Sequence, residues 1–372
     1  MATADPVSLG RRIAAARDRA GLTQAALASA VGLERSALAK IENGMRRVSA
    51  IELARIAEAV DERIEWFVRE PPPALVSYRN IREPGVASPT IERVVERVAR
   101  NTEFVLKEDG QWQLPTPSEI NRPDTVQDAE ERALRARALL GLDDVAPIRD
   151  MSASVSRLGL LAFSLDLGSD AADAASILLA RGGVAVINGH LRVGRRRLAL
   201  AHELGHYLFA DSYTVDWRIA EQDDDAAWET RLDRFARAVL LPRKGLGDMW
   251  IELQKQGDDL RTAAVKAGSF FRTDMSTLAR RLWELRHVSQ DEARFIRTVR
   301  TTKADIVEFD LVVHDELAPP FLPRPYEEAV LRLYRNEIVS PARVIDLLLG
   351  AWEEQDLPEL PRLPESAVWK FV

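Results

Sequence analysis

The sequence predicts a multidomain, mainly α protein: an all-α N-terminal domain, an α+β domain with a small β-sheet in the middle of the chain, and a C-terminal α/β extension. Three observations predict this. Up to Val68 the chain carries only short helical patterns punctuated by glycines, and further on helical and strand-like apolar patterns alternate. Between the two lies REPPPALVSYRNIREPG, whose prolines break helix twice. At 372 residues the chain is also too long for one small core, so two or three domains are expected. We assign residues 1–70 to the first domain, 71–127 to a linker with a bridging helix, 128–296 to the α+β domain and 297–372 to the extension.

The elements follow in order. Leu9, Ile13 and Ala16 form one apolar face, Leu27 with Val31 a second, Leu38 with Ile41 a third, and Leu53, Ile56, Ala57 and Val60 a fourth. Thr23 and Ser49 mark helix starts, and Gly21, Gly32 and Gly44 supply breaks, which gives four or five short helices. An amphipathic stretch from Ile91 to Leu106 is the bridging helix. AEERALRARALLGL reads as helix, and a short strand is expected around Leu160 to Phe163. ASILLARGGVAVINGHLRV reads as paired strands joined at Asn188 and Gly189. Helices are then expected over Trp228 to Leu241, Leu260 to Lys266 and Met275 to Leu285. In the extension, IVEFDLVV is a strand candidate and YEEAVLRLYRNEIVSPARVIDLLLGAW a helical pair.

Composition narrows the class. With 46% hydrophobic and 29% charged residues the chain is an ordinary globular protein. It has no cysteine, which excludes disulfides and thiolate metal sites and leaves any metal to histidine and carboxylate. The beginning, MATADPVSLGRR, lacks an apolar signal core, and no apolar run approaches a membrane span, so a soluble, cytoplasmic protein with no membrane partner is expected. The net charge of −7 argues against nonspecific nucleic-acid binding by the whole chain but leaves room for a basic domain.

RRRLALAHELGHYLFAD, residues 195–211, is apolar after its arginines except at His202, Glu203 and His206. On a helix the two imidazoles, four residues apart, project from one face and can reach one ion. Glu203 points about 100° away, suited to a water on the ion rather than to the ion itself. Burying this trio without a partner would cost several kcal/mol. A catalytic zinc needs a third protein ligand, and the candidate is Glu229 in WETRLDRFARAVLLP, with Asp233 one turn on to accept a hydrogen bond from a histidine ring nitrogen. Glu221 and Asp223 to Asp225 are rival ligands on an acidic loop.

Residues 1–49 hold eight basic residues against four acidic ones, in contrast to the chain total. TQAALASAV, GLE and RSALAKIENG read as helix, tight turn and second helix, the arrangement that lays the second helix in a DNA major groove. Arg35, Ser36 and Lys40 occupy its exposed side, with Arg35 able to read a guanine edge. Gln24, Asn43, Arg46 and Arg47 are placed for phosphates.

The first of these segments, from Leu9 to Val60, resembles the Xre/Cro type of helix-turn-helix, notably in GLTQ and RSALAKIENG. The resemblance implies base reading by Arg35, Ser36 and Lys40 and a phosphate contact by Gln24. From about Asp128 to Leu285 the chain resembles the ImmA/IrrE family of zincin-like metallopeptidases, carried by RRRLALAHELGHYLF, WETRLDRFARAVLLP and STLARRLWEL. That implies Zn2+ held by His202, His206 and Glu229, with Glu203 as the base. Leu232 and Asp233 depart from the Ala and Asn that the family usually has there.

The expected function is a DNA-binding regulator whose peptidase domain cleaves a helix-turn-helix repressor, an antitoxin-like protein or its own linker between Pro71 and Gly85, in a stress or mobile-element response. One alternative is a transcription factor whose metal domain only senses or dimerises. Another is a protease whose N-terminal domain docks a partner repressor instead of DNA. A homodimer on paired operator half-sites is expected.

Overall fold

Pro6 opens the first helix, α1 (Pro6–Arg19), behind Asp5, whose carboxylate accepts hydrogen bonds from the amides of Val7 and Ser8. The computed structural model describes residues 5–60, 64–68, 76–79, 89–116, 120–209, 222–311 and 313–360. The chain divides into two compact units, Met1–Pro73 and Ala74–Val372.

In the first unit α1 is followed by α2 (Gln24–Val31), α3 (Arg35–Glu42), α4 (Ala50–Ala59) and α5 (Ile64–Val68). Thr23 caps α2, and Ser49 with Glu52 forms a reciprocal capping box on α4. The apolar faces expected from the sequence meet in one core of Ile13, Ala16, Leu27, Val31, Leu38, Ile41, Leu53, Ile56 and Phe67.

The second unit is built on a four-stranded sheet. Its strands are β1 (Val76–Arg79), β2 (Leu160–Leu165), β3 (Ala174–Leu178) and β4 (Gly183–Asn188), in the order β1-β3-β4-β2. β2 runs parallel to β4, and β3 is antiparallel to both β4 and β1. Alternation along the strands sends Leu161, Phe163, Ala175, Ile177, Val184 and Val186 to one face and Leu160, Ala162, Ala174, Ala185 and Ile187 to the other. Helices cover both faces. On the first lie α6 (Pro89–Asp109), α16 (Arg324–Arg335) and α17 (Pro341–Leu347). The second packs against α7 (Val126–Leu139), α8 (Met151–Arg157), α9 (Val193–Leu208) and α10 (Gln222–Leu240). The helices α11 (Arg243–Lys255), α12 (Leu260–Phe271), α13 (Met275–Glu284) and α14 (Gln290–Thr298) complete that layer.

Several expectations are corrected here. The paired strands turn at residues 179–182, where the Leu179 amide reaches the Gly182 carbonyl at 3.0 Å, and not at Asn188–Gly189. The Asn188 side chain instead ties loops together, accepting from the amides of Leu167 and His190 and donating to the Gly168 carbonyl. Among its described residues IVEFDLVV supplies no strand: Thr302 and Asp305 make a capping box that starts α15 (Lys303–Glu308), and Ile306 to Glu308 are the last residues of that helix. Among the described residues of 297–360 there are only helices and one isolated bridge, Phe321 to Ser164, so the α/β reading of the extension gives way to a helical one. Asp223 to Asp225, read as loop, lie at the start of α10; Glu221 lies outside the described residues.

The stretches assigned to a linker and an extension contribute to the core of the second unit. Ile91, Val95, Val98 and Val105 of α6 pack with Tyr326, Val330 and Leu333 of α16 over the sheet. Arg332 of α16 forks onto the Asp109 carboxylate at 2.9 and 3.0 Å and holds its pKa below the ordinary aspartate range.

Candidate metal centre and nucleic-acid interface

Three arginines fix the start of α9. Arg195 pairs with Asp173 at 2.8 Å, Arg196 with Asp315, and Arg197 with Glu316. Arg197 also donates to the Ile148 carbonyl at 2.7 Å, and Glu316 accepts from the amide of Ser152 at the head of α8. The run that looked like a charged preface to an apolar helix is therefore a set of anchors, two of them buried.

One helix further on, α10 crosses close to α9 at Gly205. A Cβ there would lie 2.8 Å from Leu232 Cδ2 and 3.0 Å from Phe235 Cδ1, so the missing side chain lets the helices approach. Three residues before Leu232 is Glu229. Its Oε2 is 3.2 Å from His202 Nε2 and its Oε1 is 3.8 Å from His206 Nε2, while the two histidine Nε2 atoms are 3.2 Å apart. His202, His206 and Glu229 each offer one ligand atom within 4.8 Å of the others. Around a tetrahedral zinc with bonds near 2.05 Å, ligand atoms lie about 3.3 Å apart, so this donor set fits a small divalent ion.

Asp233 Oδ1 lies 3.2 Å from His202 Nδ1, which directs the other ring nitrogen toward Glu229 and His206. Burial pushes the Glu229 carboxyl up, but the hydrogen bond to His202 and the two imidazoles outweigh it and hold the group below the ordinary glutamate value.

Glu203 is fully buried, and its Oε2 accepts a 2.6 Å hydrogen bond from Ser176 Oγ. Ser176 reaches it because residues 175 and 177 of β3 face the other side of the sheet. Sequence reasoning missed Ser176: nothing local in AASIL marks which residue faces the helix. It also missed an aromatic set behind the centre. Trp228 packs edge-on to His206 and Phe209, with the Arg122 guanidinium 3.9 Å over its ring. The signal available was the Trp adjoining Glu229.

In the N-terminal unit α2, the turn at residues 32–34 and α3 form the expected helix, turn and helix. Arg35, Ser36, Lys40, Asn43 and Arg47 are exposed. Gln24 and Arg46 are half-buried and engaged: Gln24 donates to Glu42 at 2.6 Å and Arg46 to Glu52 at 2.6 Å. Arg17 holds the same Glu42 from the other side at 2.7 Å. Asn43 donates to the Ala39 carbonyl, closing the end of α3.

Residues 13–67 match the helix-turn-helix family, and residues 155–282 match the IrrE N-terminal-like domain, a peptidase family. Among solved structures the chain is similar to the restriction-modification controller protein C.AhdI from Aeromonas hydrophila, with 36% identity over 17% of this chain and 97% of that one and a TM-score of 0.17. It is also similar to a Mycobacterium tuberculosis transcriptional regulator, with 18% identity and a TM-score of 0.31, over 50% of this chain and about half, 51%, of that one. Among curated proteins no match is found.

Proposed function

We propose, from the match of residues 13–67 to the helix-turn-helix family and of residues 155–282 to the IrrE N-terminal-like domain, that the chain is a transcriptional regulator that binds operator DNA and carries a zinc-dependent endopeptidase. Its substrate is a helix-turn-helix repressor, an antitoxin-like protein or the chain itself, in a stress or mobile-element response. The observation that carries the reading is that His202, His206 and Glu229 each offer a ligand atom within 4.8 Å of the others.

In this reading the two histidines and Glu229 hold the zinc, and Asp233 fixes the ring of His202. A zinc ion held there would supply Lewis acidity toward a water and a peptide carbonyl. Glu203 takes the proton from the attacking water; the new C–O bond forms, the C–N bond breaks, and Glu203 passes the proton to the leaving amine. Ser176 orients Glu203 through its 2.6 Å hydrogen bond.

On DNA, Arg35, Ser36 and Lys40 at the start and exposed side of α3 read base edges, and Asn43 and Arg47 meet phosphates. Gln24 and Arg46 join them by exchanging Glu42 and Glu52 for the backbone. Such domains read paired half-sites, so the regulator works as a homodimer. No helix among the described residues is long and apolar enough to cross a membrane. A regulator of this kind acts in the cytoplasm, where the operator is.

The test compares the zinc-loaded protein with its Glu203→Gln variant, each incubated alone and with helix-turn-helix repressors encoded nearby. The parent cuts one of these proteins; the variant binds the same amount of zinc and cuts none. Cleavage by the variant at the parent rate removes Glu203 from the chemistry and the reading with it.

A further inference from the structure

β3 is the strand that carries Ser176, and through it Glu203. On one side β3 pairs with β4; its other side faces β1, the four residues Val76–Arg79. Without β1, β3 would present a row of open amides and carbonyls next to the candidate centre, which is a template for an extended peptide. The register is specific: Ser77 stands opposite Ser176, with Val76 opposite Ile177 and Tyr78 opposite Ala175. The backbone of residue 77 therefore runs one strand spacing, about 4.8 Å, from the residue that holds Glu203. β1 also approaches α9, the helix of both histidines. The strand follows directly on the N-terminal unit, which ends at Pro73.

We propose that Val76–Arg79 sits where an extended peptide substrate would pair, so that the chain covers its own peptidase centre with a displaceable strand. The proposal rests on the reading of that centre as a peptidase. A substrate gains access to β3 only as β1 leaves it, and the two compete for one edge. Four residues of pairing make a weak hold compared with the longer pairing that a bound segment of a substrate protein can offer. The occupant is the chain itself because the register, the antiparallel direction and the position opposite Ser176 are all supplied by residues 76–79.

The full-length protein tests this. Successive residues of an antiparallel strand alternate in which side their N–H faces, so replacing both Ser77 and Tyr78 by Pro removes a ladder donor whichever pair is bonded. A second variant replaces residues 76–79 by Gly-Ser-Gly-Ser, which keeps the length and lowers strand propensity. Amide hydrogen exchange is followed in β3, β4 and β2, and the zinc-loaded proteins are assayed on a denatured, unstructured protein. The expected result in either variant is at least a tenfold faster exchange of the β3 amides with β4 and β2 unchanged, and at least a tenfold faster cleavage.

Equal β3 exchange in parent and variants overturns the proposal. So does equal cleavage, and if Glu203→Gln is inactive in that case the peptidase reading survives alone. Loss of protection across β2 and β4 in both variants makes β1 an integral part of the sheet and also overturns it. If no form cuts any protein, the peptidase reading fails and the proposal falls with it.

Discussion

Arg197 and Glu316, 119 positions apart, form a buried ion pair near the start of the helix that carries His202 and His206. Glu316 also accepts from the Ser152 amide at the start of α8, so one carboxylate joins the C-terminal third of the chain to two helices of the metal layer. Removing one partner of such a pair leaves an uncompensated buried charge, a loss of about 3–5 kcal/mol. Glu316→Ala therefore lowers the stability of the second unit by that order, read as a shift of the urea midpoint, whereas Arg324→Ala, at an exposed pair with Glu328, leaves it within about 0.5 kcal/mol.

A second buried cluster sets an acid limit. Glu130 of α7 accepts from Arg234 of α10 at 2.5 Å and from Arg281 of α13 at 2.8 Å. Burial raises its pKa, but the two arginines outweigh burial and hold it below the ordinary value of 4.5. The folded carboxylate then holds its proton less tightly than the unfolded one. Its contribution is complete above pH 4.5 and is lost as pH falls below that value toward the folded pKa. Glu130→Gln lowers stability at neutral pH and flattens the decline below pH 4.5, as measured by urea midpoints across that range.

In the N-terminal unit α1 meets the end of α3 at Gly10. A Cβ there would lie 2.3 Å from the Ile41 carbonyl oxygen and 2.6 Å from that of Glu42, both backbone atoms that cannot swing away. Gly10→Ala forces α1 off α3 and destabilises the unit by about 1–3 kcal/mol, seen as an earlier melt and weaker operator binding.

Arg35 and Arg47 are both exposed but differ in place: Arg35 opens α3, and Arg47 follows its end. Arg35→Ala weakens operator binding by about 1–3 kcal/mol and relaxes sequence preference, while Arg47→Ala weakens all sequences alike and reduces the salt slope by about 1. Gel shifts over a salt series separate the two effects.

What could be read in advance was whatever local spacing encodes. The i, i+4 histidines and the apolar faces of the N-terminal helices are patterns within one element. The structure brings Glu229 to 3.2 Å from His202, as a paired-helix reading expects. Ser176 was illegible because its role depends on strand register across the sheet. The anchoring role of arginines 195–197 was illegible because their partners Asp173, Asp315 and Glu316 are distant in sequence. Asn188–Gly189 carried a hairpin signal, yet the Asn side chain spends its hydrogen bonds on loop amides and on the Gly168 carbonyl, and the turn falls earlier. IVEFDLVV has strand-like composition, but the Thr302–Asp305 capping box upstream starts a helix first.

The most direct test of the account is zinc content measured together with cleavage in the parent and in Glu229→Ala. The account predicts about one zinc per chain in the parent, held through dialysis, with zinc and cleavage lost together in the variant and restored to the chelated parent by added zinc. A parent that cuts equally well after complete removal of metal, or a Glu229→Ala protein that retains both zinc and activity, would contradict it.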